Sequence, residues 1–176
     1  CSYSFNYYNV STVLDPTLLI GADFFKDMVK EEAINRVDSI NYVLDNNENK
    51  KNVINKINLH YSNFSTRELL NKSSILSISE WVASFRDAKM IITDSFHGMV
   101  FSILFEKEFF VIINNNRGAD RFTSLCKKLD LMDRLITEDE EHFDFKAIKP
   151  LNYSEINKRL SILRNFSSEF LIKSLS

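Results

Sequence analysis

The chain has 176 residues, of which 44% are hydrophobic, with 22 basic and 24 acidic residues and a formal net charge of −2. That length suits one domain or one large half of a two-domain protein, and the balanced charge gives no electrostatic footprint for nucleic acid and no polybasic membrane anchor. Two cysteines, Cys1 and Cys126, exclude a disulfide framework and fit a reducing compartment, while the longest apolar run, Met99 to Phe105, falls far short of the ~20 residues of a membrane span.

No signal peptide is visible, and a start at Cys1 rather than Met reads as a fragment. Three Gly and two Pro punctuate the chain, so elements are long and loops polar; there is no internal repeat. In chain order, Val10 to Leu14 reads as a short strand stopped by Asp15-Pro16. Asp23 to Ile34 is a helix and Ser39 to Leu44 a strand. Asn47 to about Ile57 is a helix, with Val53 and Ile57 on one face. The stretch from Asn58 to Ser74 stays ambiguous, since "INLHYS" suits a strand or a helix end. Ser77 and Glu80 form a capping box that opens a helix to Asp87, with Trp81 and Phe85 on one face. Met90 to Thr93 is a strand, Ser95 to Glu106 a helix, Phe109 to Ile113 a strand and Arg121 to Leu129 a helix. A final helix from Tyr153 to about Ser174 buries Ile156, Leu160, Leu163 and Phe170.

Strands and helices alternate. "MIIT" and "FFVII" are apolar throughout rather than alternating, as strands covered on both faces are. The class is α/β: a Rossmann-like, doubly wound, mainly parallel sheet.

The chemistry concentrates in Lys89 to Phe105, "KMIITDSFHGMVFSILF". Ligands of open α/β sheets bind beyond the carboxyl ends of the strands, where loops enter helices. "MIIT" ends there at Asp94-Ser95. The next helix offers unpaired amides and the positive end of its dipole, which suits phosphate or carboxylate. Gly98 would let a ligand approach the backbone. His97 can act as a general acid or donate to a charged oxygen. Two plainer roles stand beside these: Asp94 or Ser95 as an N-cap, and His97 as a structural residue. The helix beyond His97 is apolar nearly all round and reads as buried. If the next strand is parallel, "NNNRGADRF" brings Arg117 and Arg121 to the same rim, where arginine can bind carboxylate or phosphate in bidentate fashion. Alternatively Arg117 is solvated and Arg121 pairs with Asp120 or Asp130. His60 and His142 sit in polar surroundings without ligand spacing, so no metal site is expected. "NNENKK" and the acidic Thr137 to Asp144 read as solvated surface, the latter away from an anion site.

The stretch from Ser79 to Ile136, "SEWVASFRDAKMIITDSFHGMVFSILFEKEFFVIINNNRGADRFTSLCKKLDLMDRLI", resembles the polysaccharide pyruvyl transferase family. "DPTLLI" at Asp15, "YVLD" at Tyr42 and "LDLMDR" at Leu129 follow in family order; "TDSFHG" and "NRGADRF" are the most specific pieces. The resemblance implies a glycosyltransferase-B-like architecture of two Rossmann-like halves. Residues 1–176 then form the C-terminal, donor-binding half, and the N-terminal half is missing. It implies transfer of a pyruvyl group from phosphoenolpyruvate to hydroxyls of a cell-surface polysaccharide or its lipid-linked oligosaccharide precursor, giving a cyclic ketal. Phosphoenolpyruvate is the donor substrate, and no cofactor or metal is required. His97 is implied as general acid or donor ligand, with Ser95, Gly98, Arg117 and Arg121 around the donor. The expected location is cytoplasmic, with peripheral association at the inner membrane face as a variant, and without nucleic acid or a transmembrane segment. One departure stands out: other branches carry Arg two residues before the histidine, where this chain has Ser95. Either Arg117 or Arg121 compensates, or the donor is held differently, or the substrate differs. Two other functions remain open: the donor half of a sugar-nucleotide glycosyltransferase, and a non-catalytic binding module.

Overall fold

A computed structural model describes residues 11–70, 75–113, 118–139 and 143–175. Apolar tetrads and hexads that bury both faces force a parallel sheet covered on two sides. β3 (Met90–Thr93) and β4 (Glu108–Ile113) are of this kind, and β1 (Ser39–Tyr42), β2 (Thr66–Glu68) and β5 (Leu135–Thr137) complete the sheet. Their order is β2-β1-β3-β4-β5, and every neighbouring pair is parallel. The helices are α1 (Pro16–Ile20), α2 (Ala22–Met28), α3 (Glu48–His60), α4 (Ile78–Asp87), α5 (Phe96–Leu104), α6 (Ala119–Leu129) and α7 (Tyr153–Leu175).

The period-two alternation of strand side chains splits the core in two. Ile91, Phe109 and Val111 pack on one face with Val82, Phe85, Met99, Phe101 and Leu125. Met90, Ile92, Phe110 and Ile112 pack on the other with Val53, Ile54 and Ile57 of α3. The doubly wound α/β class expected from the sequence is therefore the observed one. Because α3 lies on one face and α4 and α5 on the other, the winding reverses between β1 and β3. That reversal opens a crevice at the carboxyl ends of these two strands.

Local signals explain most boundaries. Ser77 and Glu80 make the expected reciprocal capping box, and the rings of Trp81 and Phe85 meet at 4.7 Å. Asn47 caps α3 through Lys50 N–H. "INLHYS" proves to be a helix end, since α3 continues to His60. His60 is exposed, and one face of its ring stacks on Phe145 at 4.4 Å. In the final helix Ile156 and Leu160 are buried, as expected, while Leu163 and Phe170 are only partly so.

Two expectations need correction, and three short elements were not foreseen. Residues 11–14 form no strand, and Val10 lies outside the described residues. The buried Leu14 gives its N–H to Ser167 Oγ of α7 at 3.0 Å, so the segment is satisfied by a helix side chain rather than a ladder. The helix expected to reach Ile34 stops at Met28. The Arg86 guanidinium, held by Asp87, takes the carbonyls of Val29 and Glu32 and fixes a non-helical turn there. Finally, α1, β2 and β5 carry too few residues to show periodicity, and the sequence did not reveal them.

Candidate functional site

The floor of the crevice is built by Thr93 and Asp94. Thr93 is fully buried; its hydroxyl donates to the Tyr42 carbonyl at 2.6 Å and accepts from Ser95 N–H at 3.0 Å. This stitches β3 to β1 at the point of reversal. Asp94 is not the cap of α5. Its carboxylate accepts from Leu44 N–H at 2.7 Å, Asp45 N–H at 3.1 Å and the Lys50 ammonium at 2.6 Å. Both side chains of the Lys50–Asp94 pair are only 6% exposed. A buried carboxylate is tolerable only with such full pairing. A buried, fully paired carboxylate thus stands beside the strand reversal where doubly wound folds commonly hold a ligand.

Anion-binding capacity is displaced to the neighbouring helix start. Ser95 is the N-cap of α5, its hydroxyl accepting from Gly98 N–H at 3.4 Å. The first-turn amides of Phe96 and His97 precede the intrahelical ladder and point out of the sheet's carboxyl edge. Gly98 is needed for packing: a Cβ there would lie 2.3 Å from Thr93 Oγ1 and 2.9 Å from Thr93 Cβ. Its bare face is turned toward the sheet rather than toward the rim. His97 faces outward, with its side chain 57% exposed, while the residues from Gly98 to Leu104 are buried and hold it rigidly.

Asp15 joins this rim from the far end of the sequence. It caps α1 by accepting from Thr17 N–H at 2.8 Å, and its second oxygen lies 3.9 Å from His97 Nε2. Arg121 comes from α6. Its guanidinium lies over the ring of Phe96 at 5.0 Å and that of Phe122 at 5.4 Å. Arg121 and the His97 ring both border the Phe96 ring, at 5.0 Å and 6.1 Å from its centre. Asp130, one carboxylate considered for it, instead faces Arg159 at 3.7 Å. Asp15 and Arg121 line a small cleft of about 130 Å³ together with Leu18, Phe96, Ser124 and Lys128; His97 is not part of its lining.

Of the residues singled out from the sequence, Ser95 caps α5, Gly98 packs on Thr93, His97 is exposed at the helix start, and Arg121 reaches that start only through the ring of Phe96. Arg117 and His142 lie outside the described residues. Sequence reasoning missed Asp15, Lys128 and the Lys50–Asp94 pair. Asp15 carried a local signal, an N-cap before proline, but nothing announced its approach to His97 across 82 positions.

The rim can bind an anion with a cation and helix amides, and it can deliver a proton from an imidazole. Burial pushes the Cys126 thiol up to about 12, so that side chain does not serve as a thiolate. Burial also raises Tyr153, whose hydroxyl donates to the Lys107 carbonyl. Among the described residues no group of three or more His, Cys, Asp or Glu could hold a metal ion, and no helix is long and apolar enough to cross a membrane.

No curated protein and no solved structure matches the chain at a significant level. The profile of one family, described as polysaccharide pyruvyl transferase, matches residues 2–116, more than half of the chain and inclusive of the Thr93–Gly98 seam. With that match laid over the His97 rim, the chain belongs to the polysaccharide pyruvyl transferase family.

Proposed function

We propose that this chain is the donor-binding, C-terminal half of an enzyme that transfers a pyruvyl group from phosphoenolpyruvate to two hydroxyls of a polysaccharide or of its lipid-linked precursor. The observation that supports the proposal is the start of α5, where His97 is exposed and Arg121 lies over the ring of the adjacent Phe96. Phosphoenolpyruvate has a phosphate and a carboxylate around one polarisable double bond. Arg121 and the α5 amides supply what its anionic ends require. Arg117 is assigned the same role by sequence likeness alone.

The step balances as follows. His97, as imidazolium, gives a proton to the methylene carbon C3, and C2 becomes cationic. A sugar hydroxyl adds to C2 and its proton returns to His97. The C2–O bond to phosphate breaks. A second hydroxyl closes the ketal, and its proton leaves with the phosphate. No electrons are gained or lost. Positive groups at the rim favour the departing phosphate, and proton transfer by a positioned side chain contributes about 10²–10⁴-fold.

The buried Asp94–Lys50 pair at the strand reversal favours this reading over a sugar-nucleotide transferase. A nucleotide diphosphate at the strand reversal would meet a buried carboxylate there. Ser95, committed to capping α5, is given a supporting part through the helix amides rather than direct charge.

Thermal unfolding with phosphoenolpyruvate, inorganic phosphate or UDP-glucose tests the donor assignment. A ligand bound only by the native state stabilises by about 2.7 kcal/mol at about 100 times its Kd. A shift with phosphoenolpyruvate larger than with phosphate, and reduced in Arg121→Ala, is expected. A shift with UDP-glucose and none with phosphoenolpyruvate would overturn the proposal.

A further inference from the structure

We propose that Asp15 is a positioning residue for His97, a carboxylate brought from the start of α1 to hold the imidazole at the rim. This rests on the pyruvyl-transfer reading above and assigns that reaction a residue from outside the seam.

Four anchors fix the Asp15 carboxylate. Leu14 N–H is tied to Ser167 Oγ of α7 at 3.0 Å. Pro16 occupies the first turn of α1, and its ring restricts the backbone that follows Asp15. Leu18, one turn on, is fully buried and pins α1 to the core. Oδ1 is held by Thr17 N–H at 2.8 Å. Those constraints leave Oδ2, which stands 3.9 Å from His97 Nε2. Asp15 is the less exposed partner, at 21% against 57% for His97. The imidazole stands on the rigid, buried α5, so two fixed helix starts face each other through these side chains.

The chemistry gives this contact a purpose. An acid that delivers a proton to carbon needs one ring nitrogen aimed at the substrate, and a carboxylate on the other nitrogen fixes the ring and stabilises the imidazolium. With Nε2 turned to Asp15, Nδ1 is the nitrogen free to serve the substrate. The separation is at ion-pair rather than hydrogen-bond length, and such contacts commonly tighten when substrate binds. The adjoining cleft contains Asp15 and Arg121 together, so the carboxylate and the anion-binding cation lie on one surface.

The test must separate positioning from helix capping. Asp15→Ser and Asp15→Asn both keep a good N-cap, while serine withdraws the carboxylate and asparagine removes its charge. Phosphate release from phosphoenolpyruvate is followed in the intact polypeptide, with a panel of p-nitrophenyl hexosides as acceptors. Both variants should lose roughly 10–100-fold in kcat, the scale of a misplaced reacting group, with KM for phosphoenolpyruvate changed by less than about twofold. Carbon relaxation of the His97 ring should show greater ring motion in Asp15→Ser, with the backbone of α1 unchanged. An inactive His97→Ala beside fully active Asp15 variants overturns this inference alone. A raised KM with unchanged kcat overturns it too, by making Asp15 a binding residue. Full activity in His97→Ala overturns the acid role of His97, and the inference with it.

Discussion

Gly98→Ala should destabilise the protein even though alanine is the better helix former. The added Cβ would lie 2.3 Å from Thr93 Oγ1, 2.9 Å from its Cβ and 3.0 Å from its Cγ2. Thr93 cannot rotate away freely, because it is fully buried and its hydroxyl bridges the Tyr42 carbonyl and Ser95 N–H. Forcing one carbon into a packed core costs about 1–3 kcal/mol. Displacing the hydroxyl endangers two hydrogen bonds of about 0.5–1.5 kcal/mol each. The helix-propensity gain of alanine over glycine returns about 1 kcal/mol. The net expectation is a loss of roughly 2–4 kcal/mol, or about 5–15 °C in Tm for a chain of this size. Urea unfolding of wild type, Gly98→Ala, Thr93→Ala and the double variant measures it. The two substitutions share one contact, so their effects should be strongly non-additive. A neutral or stabilising Gly98→Ala, or additive effects, would refute the claim that α5 needs this close approach to β3.

The buried ion pair makes a second prediction. Lys50→Met should cost about 3 kcal/mol in chemical denaturation by stranding Asp94, and adding Asp94→Asn should recover a large part; equal stability of Lys50→Met and wild type would contradict the pairing. Asp38 makes a third, at the opposite end of the sheet. The Lys89 ammonium first, then the amide and hydroxyl of Ser65, hold its carboxyl down at about 2 rather than 3.8. A lowered folded-state value means that its contribution is present above about pH 4 and is lost as pH falls toward 2. Stability curves of wild type and Asp38→Asn should therefore converge on acidification through that window, and a gap that stays constant would count against the shift.

The sequence by itself determined the elements whose signals are local. The capping box at Ser77 and Glu80, the caps at Asn47 and Ser95, and the unbroken apolar runs of β3 and β4 follow from neighbours in the chain. Those runs already required a two-sided parallel sheet, and hence a seam at Thr93–Gly98 on its carboxyl edge. Tertiary structure alone decided matters that depend on distant partners. The edge strands β2 and β5 have three residues each and exist only because β1 and β4 offer ladders to pair with. Residues 11–14 look like a strand yet lie against α7, because Ser167 supplies the hydrogen bond a ladder would have given. Asp94 could have capped its own helix, but two amides of the β1–α3 turn and the Lys50 ammonium of α3 bind it more fully. Gly98 suggested access for a ligand, and packing against Thr93 gave it a different reason. His97 was legible as a polar residue at a greasy seam; Asp15 beside it was not, since its approach depends on α1 docking between α5 and α7. Local chemistry places the imidazole at the rim, and only chain closure brings a carboxylate to it.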